Sequence, residues 1–114
     1  MIKDNNIFAR VMKKGEWYSG DLMSLYLLKN KDKPSENINM IGIAVSKKFS
    51  KSSVKRNRVR RLIKEVYRLN ENNIETGYYM VFLWKNNVDF SNATFNNIRN
   101  DFYKCVSKSS LLKR

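Results

Sequence analysis

The chain has 114 residues and a formal net charge of +13, from 23 basic and 10 acidic side chains. This length is typical of one domain and can bury a core without disulfide or metal staples. There is no histidine and one cysteine, Cys105, which removes the commonest general base, the commonest metal ligand and any intramolecular disulfide. A lone cysteine fits a reducing compartment, and the sequence shows no signal peptide and no apolar run long enough to span a bilayer, so we expect a cytoplasmic protein.

Hydrophobic spacing divides the chain into alternating helices and strands. The first half reads, in order, as a helix over 4–14, a strand region over 17–29 that can split into a hairpin, a polar loop over 29–37 and a strand over 38–46. The second half reads as a helix over 55–69 that ends by 73, a buried strand over 78–84, a loop over 86–89 and a helix opened by Ser91 or Asn92. These elements predict one α+β domain over 1–114, in the order α-β-β-(β)-α-β-α, with a mixed sheet of about four strands. Residues 1–3 and 108–114 are expected to fray.

The stretch from Lys55 to Leu69 carries two patterns at helical spacing. One face is apolar and consists of Val59, Leu62, Ile63, Val66 and Leu69. The opposite face is polar and mostly basic, with Asn57, Arg60, Arg61, Lys64 and Arg68. From Asn37 to Lys64 there is no acidic residue, although nine Lys or Arg lie there. A solvated helix normally mixes its signs because like charges repel, so this run favours a polyanion, above all nucleic acid, over a plain solvated face.

Three weaker signals accompany that helix. The loop before it carries Lys47 and Lys48 and ends in Ser52 or Ser53 as the helix cap, which is typical of a phosphate site. The strand over 38–46 has a face of small side chains, Gly42 and Ala44 beside Met40, which allows close approach either of a ligand or of a packed helix. Candidate exposed aromatics that could stack on bases are Phe8, Tyr18, Tyr26 and Tyr67.

The sequence offers little chemistry of its own. It has no glycine-rich phosphate loop and no cluster of metal-ligand side chains, and its acidic residues lie scattered among polar neighbours. Hydrolysis of a phosphodiester by a protein site normally uses carboxylates that hold a metal, or a histidine. We therefore expect no catalytic residue and no metal site in this chain, and we expect Cys105 to be a small core residue.

Several motifs together closely resemble the bacterial ribonuclease P protein subunit. A small-residue strand ending in Ser-Lys-Lys, from Ile41 to Lys48, runs into a helix with the Arg-Asn-Arg motif, from Lys55 to Glu65. The segment from Phe8 to Gly15 is similar to the first helix of that family, Leu25-Tyr26 is similar to its first-strand pair, and Gly77-Tyr78 leads into a strand and a last helix as it does in the family. The resemblance covers nearly the whole chain in order.

The resemblance implies a protein that pairs with a large RNA subunit, which cuts the 5′ leader from precursor tRNA with Mg²⁺ held mainly by RNA. It implies that the RNA subunit is bound by the basic helix and the loop before it, through Arg56, Asn57, Arg58, Arg60, Arg61, Lys64, Arg68, Lys47 and Lys48. It also implies a cleft for the single-stranded leader between the first helix and the sheet, lined by Phe8, Met12, Ser24, Tyr26 and Ala44. Met12 stands where the family commonly has a second aromatic, which predicts weaker stacking on the leader. Finally, it implies a left-handed crossover between the two parallel strands, against the general rule.

Three other functions are compatible with parts of the sequence. A small RNA-binding protein of the ribosomal type would use the same basic helix without stimulating tRNA processing. A basic amphipathic helix could instead lie on an anionic membrane, although its apolar face is needed by the sheet. A nuclease that acts without an RNA subunit is disfavoured by the missing site chemistry. Binding to RNA through several phosphates predicts a steep loss of affinity with added salt.

Overall fold

One four-stranded sheet with three helices forms the protein in a computed structural model that describes residues 1–32 and 38–112. The strands are β1 (Glu16–Ser19), β2 (Met23–Lys29), β3 (Met40–Ala44) and β4 (Tyr78–Trp84). The helices are α1 (Asn5–Lys14), α2 (Ser53–Asn70) and α3 (Phe95–Lys108), with short 3-10 helices at Glu71–Asn73 and Phe90–Asn92. The α+β fold with a mixed sheet is confirmed, and the region over 17–29 does split into a hairpin. The predicted loop over 29–37 lies mostly outside the described residues.

The strand order is β1-β2-β4-β3, so β1 and β3 are the two edges of the sheet. The β1–β2 and β2–β4 pairs are antiparallel, whereas β3 and β4 are parallel and are joined through α2. Parallel neighbours need such a crossover, because a tight turn can only reverse the chain. The left-handed sense of this crossover stays a prediction from the resemblance.

Helices cover both faces of the sheet. The alternate side chains of β2, Met23, Leu25 and Leu27, belong to the main core formed with α2 and α3. A second, smaller cluster lies under α1 on the other face, where Val11 packs with Tyr79 and Val81 of β4. Strand β4 is therefore buried on both faces, as its unbroken apolar run predicts.

Side-chain caps decide where the helices begin. Asp4 accepts a hydrogen bond from the Asn6 N–H at the start of α1, and Ser52 accepts one from Lys55 at the start of α2. The prediction that Ser91 or Asn92 opens the last helix is wrong. Phe90–Asn92 instead forms a 3-10 turn that buries Ala93, and α3 begins only after Thr94, which caps it.

The apolar stripe of α2 is shifted from the predicted one. The buried positions are Val59, Ile63, Val66 and Tyr67, whereas Leu69 is 56% exposed. Tyr67 packs edge-on against the Phe82 ring, with centroids 6.4 Å apart. Tyr67 is therefore a core residue, and its prediction as an exposed stacking aromatic is wrong.

Both ends of the described chain contact the body of the protein. The Ile2 N–H donates to the Ile41 carbonyl of β3 at 2.7 Å. After α3, the Leu111 carbonyl accepts from the Glu75 N–H at 2.8 Å, and the Leu111 side chain is buried. An apolar side chain beyond α3 thus enters the core, and the fraying of 1–3 and 108–114 stays a prediction. Residues 113–114 lie outside the described part.

Candidate nucleic-acid interface

Two arginines of α2 fasten the helix to the loop before it. Arg56 donates through Nη1 to the Ser50 carbonyl at 2.8 Å. Arg60 donates to the Asn57 Oδ1 at 2.8 Å and to the Val45 carbonyl at 3.4 Å. Both arginine side chains are half-buried, so they fix the backbone between β3 and α2 as well as adding positive charge.

The remaining basic residues of this region point into solvent. Arg58, Arg61 and Lys64 are exposed and make no hydrogen bond or ion pair with any residue that the structure describes. Arg68 instead pairs with Glu65, with Nη2 to Oε1 at 2.6 Å.

The loop before α2 contributes its own charge. Lys47 and Lys48 are exposed, and the Lys48 N–H is held by the Ser46 hydroxyl at 3.0 Å. Together with the exposed cations of α2, these lysines form a positive surface. We call Lys47, Lys48, Arg58, Arg61 and Lys64 the basic surface.

The strand register builds a second surface on the opposite face of the sheet. Residues directly opposite each other on paired strands point to the same face. One such row runs across the sheet as Ser19, Ser24, Leu83 and Ala44. The next row runs as Trp17, Tyr26, Val81 and Gly42. We call these two rows, with α1 beside them, the cleft face.

Helix α1 forms one wall of the cleft face. A Cβ at Gly42 would lie 2.9 Å from Cε2 of Phe8, so the Phe8 ring occupies the space over this glycine. The small-residue face of β3 could allow close approach of either a ligand or a helix, and packing of α1 accounts for Gly42. Ala44 lies in the next row and is half-buried. Met12 and Tyr26 also pack at this helix–sheet contact and stay half-buried.

The predicted cleft residues are thus brought together. They are Phe8 and Met12 on α1, Ser24 and Tyr26 on β2, and Ala44 on β3. Each of these five residues is half-buried, so part of its surface is accessible.

A charged network holds α1 against the sheet. The Asp32 carboxylate accepts from the Tyr79 hydroxyl at 2.7 Å and from the Arg10 guanidinium. These two donors lower the pKa of Asp32, with the Tyr79 hydrogen bond as the larger cause. Burial, followed by the same hydrogen bond to Asp32, raises the pKa of Tyr79. The network ties the α1 wall to the middle of the sheet through β4.

Sequence reasoning missed Trp17. It is 62% exposed and faces the Tyr26 ring, with centroids 6.5 Å apart and planes 27° apart. The candidate Tyr18 points to the other face, where it packs on the main core and donates to Glu16 at 2.6 Å. Strict alternation along 16–19 could have separated these two aromatics.

Asp101 is a second residue whose role the sequence does not predict. Its carboxylate is buried and accepts the backbone N–H groups of Asp21, Leu22 and Met23 at 2.5, 3.1 and 3.0 Å. This side chain from α3 therefore holds the turn between β1 and β2, and it leaves no room for a side chain at Gly20. Its role is structural support of the hairpin that carries Trp17.

Acidic and sulfur ligands do not converge anywhere in the described part of the chain. Within residues 1–32 and 38–112 there is no group of three His, Cys, Asp or Glu able to hold a metal ion. No helix in the same ranges is long and apolar enough to cross a membrane.

Comparisons with known proteins identify the family of this chain. A family model described as Ribonuclease P matches residues 1–110. The ribonuclease P protein component of Natranaerobius thermophilus is 37% identical over 113 residues, which cover 99% of this chain and 92% of that protein. The chain belongs to the ribonuclease P protein family. The same component from a Clostridium botulinum strain is 48% identical over 86 residues, which cover 75% of this chain and 73% of that protein.

Solved structures of the family share the fold. The RNase P protein of Staphylococcus aureus matches with a TM-score of 0.80 at 24% identity, over 98% of this chain and 96% of that one. The RNase P protein of Thermotoga maritima, in complex with 1-(4-fluorophenyl)-2-thiourea, also has a TM-score of 0.80, at 21% identity over 90% of this chain and 94% of that one. The predicted family is confirmed, and membership implies an RNA partner and a role in tRNA 5′ processing.

Proposed function

We propose that this chain binds the RNA subunit of ribonuclease P through the basic surface and the 5′ leader of precursor tRNA through the cleft face. The RNA subunit holds Mg²⁺ and cleaves the leader, and the protein aligns the two RNAs in the cytoplasm. The observation that carries this proposal is the placement of two RNA-compatible surfaces on opposite faces of one sheet, on α2 and beside α1.

The basic surface suits a folded RNA. Its exposed guanidinium groups at Arg58 and Arg61 can each meet phosphate oxygens with a planar pair of N–H donors. No acidic residue lies from Asn37 to Lys64 to compete for them. Arg56 and Arg60, already bound to backbone carbonyls, keep the helix and its loop at a fixed angle during binding. Helix α2 therefore offers a rigid row of cations to an RNA backbone.

The cleft face suits a single strand. Base edges and faces are accessible only where RNA is unpaired, and aromatic side chains stack on such bases with little sequence preference. Phe8 and Tyr26 supply aromatic rings, while Ser24 and Ala44 supply a small, shallow floor. A leader that is unpaired next to the tRNA body has these properties.

The described residues offer no evident group for the cleavage itself. The one thiol, at Cys105, is buried, and burial raises its pKa to about 12, so it carries no nucleophilic thiolate at neutral pH. The described carboxylates form no metal-ligand group. These features support a role in binding and alignment, with the catalytic Mg²⁺ on the RNA.

The test is cleavage of a precursor tRNA by a bacterial ribonuclease P RNA at low Mg²⁺, with and without this protein. We expect strong stimulation, because added protein cations replace part of the Mg²⁺ that screens RNA phosphates. Protein without RNA should be inactive. Tight, salt-sensitive RNA binding without stimulation would indicate a ribosomal-type RNA-binding protein, and cleavage by the protein alone would mean that it contains an active site.

A single substitution then separates the two surfaces. Phe8→Ala should leave affinity for the RNA subunit unchanged and reduce the preference for precursor over mature tRNA, because only precursor carries a leader. If Phe8→Ala weakened binding of the RNA subunit as strongly as loss of charge from α2 does, the two surfaces would not be independent.

A further inference from the structure

Trp17 gives the cleft face an aromatic group that its predicted residues do not include. Among the two Trp, six Tyr and six Phe, all of which lie in the described part of the chain, it is the one exposed side chain, with 62% of its surface accessible. A single exposed apolar residue is ordinary on a protein surface. The position of Trp17 relative to the other aromatics is what makes it informative.

The strand register sets Trp17 at the outer end of a continuous row. It lies opposite Tyr26, which lies opposite Val81, which lies opposite Gly42 with the Phe8 ring above it. The Trp17 and Tyr26 rings are tilted by only 27°, with centroids 6.5 Å apart. The row therefore presents an aromatic group at β1, at β2 and, through α1, at β3.

The surroundings of β1 keep Trp17 on this face. Tyr18, the next residue, packs on the main core, so the strand cannot turn over without exposing it. At the end of β1 the Lys108 ammonium of α3 donates to the Ser19 carbonyl at 2.6 Å. The turn after it is held by the Asp101 carboxylate. These contacts hold the backbone of β1 so that Trp17 lies on the cleft face.

We propose that Trp17 extends the cleft face by one stacking position and holds a leader nucleobase next to the base that contacts Tyr26. This inference rests on the proposed leader-binding function and adds a residue to it. An indole has the largest ring face available to a protein, and stacking on it needs no particular base. The polar side chains of Ser19 and Ser24 in the adjoining row, together with the net charge of +13, suit a phosphate-linked strand better than an apolar protein segment.

The experiment measures binding of precursor tRNA to the assembled holoenzyme with Trp17→Ala, Trp17→Phe and Tyr26→Ala proteins. The substrates carry one abasic nucleotide at successive leader positions. Trp17→Ala should weaken binding of intact precursor by about tenfold, as for loss of one stacked base, and should leave mature tRNA binding unchanged. Trp17→Phe should recover most of the affinity. One abasic position should make wild-type and Trp17→Ala proteins equal, because the partner base is already gone.

Two results would overturn the inference. If Trp17→Ala lost the same affinity at every abasic position, its effect would be structural and not a contact with a base. If Trp17 and Tyr26 coupled only to the same leader position, Trp17 would act by supporting the Tyr26 ring. Phe8→Ala separates the Trp17 position from leader binding at the cleft face as a whole. If Phe8→Ala lowers the preference for precursor tRNA and Trp17→Ala has no effect, only the Trp17 position is rejected. No effect of either variant rejects leader binding at the cleft face.

Discussion

Removing the charges at Arg58, Arg61 and Lys64 together is the strongest test of the basic surface. Changing all three to Gln keeps good helix formers and removes three exposed cations that have no partner in the described part of the chain. Each lost phosphate contact lowers the slope of log affinity against log salt by about 0.7 to 0.9. Three lost contacts should therefore flatten the slope by about 2 to 3, equivalent to about 100- to 500-fold weaker RNA binding at 0.1 M salt.

The same variant should fold at least as well as the wild type. Positions 58, 61 and 64 are three residues apart on one helix, where like charges repel by a few tenths of a kcal/mol per pair, roughly 0.2 to 0.5. Removing that repulsion leaves thermal stability unchanged or slightly higher. A loss of RNA affinity with an unchanged melting temperature would therefore report on binding and not on folding.

The assay is a titration of ribonuclease P RNA with protein at several salt concentrations. A matched control removes the same number of exposed charges outside α2, through Lys13→Gln, Lys14→Gln and Arg99→Gln, none of which makes a hydrogen bond or ion pair with a described residue. An unchanged salt slope in the α2 variant would refute the basic surface as the main RNA contact. An equal loss of affinity in the control would show that net charge, and not the position of the cations, governs binding.

Other predictions follow from single buried or crowded positions. Asp101→Asn should lower the free energy of unfolding in urea by about 2 to 3 kcal/mol, because a charged acceptor of three N–H groups becomes a neutral amide. Gly42→Val should cost about 1 to 3 kcal/mol by displacing the Phe8 ring and should also reduce precursor preference, whereas Gly77→Ala, strained at a φ of 95°, should destabilise without changing that preference. Cys105 should resist alkylation at neutral pH until urea unfolds the chain, since burial raises its pKa to about 12; rapid labelling of the native protein would contradict its burial.

Local patterns predicted the elements but not their exact limits. The unbroken apolar run of β4 and the two-faced periodicity of α2 survive in the structure because burial alone determines them. Asp89 caps the short 3-10 turn and Thr94 caps α3, and the sequence does not show that the first of these turns is isolated. The start of α3 was therefore predicted too early. Tyr67 is buried and Leu69 is exposed, the reverse of the prediction, because the Phe82 ring contacts α2 at Tyr67.

The cleft face could be predicted only through the family resemblance. Its residues come from α1, β1, β2, β3 and β4, and the register that aligns them is set by pairings far apart in sequence. Trp17 was missed because the sequence did not show where the region over 17–29 splits into two strands, which hides the alternation within 16–19. Asp101 was missed because its partners at 21–23 lie about 80 residues away in the sequence.

Under the proposed function, the connection between β3 and α2 would couple the basic surface to the cleft face on the opposite side of the sheet. Ala44 ends β3 at the cleft face, and the next residue, Val45, is buried and gives its carbonyl to the Arg60 guanidinium of α2. Arg56 holds the Ser50 carbonyl of the same loop. If the RNA subunit docks on α2 as proposed, it would fix the orientation of β3, and with it the direction in which a single strand could lie along the cleft face. Weakening this joint, for example with Arg60→Gln, should impair leader discrimination even though residue 60 lies on the far side of the sheet from the leader.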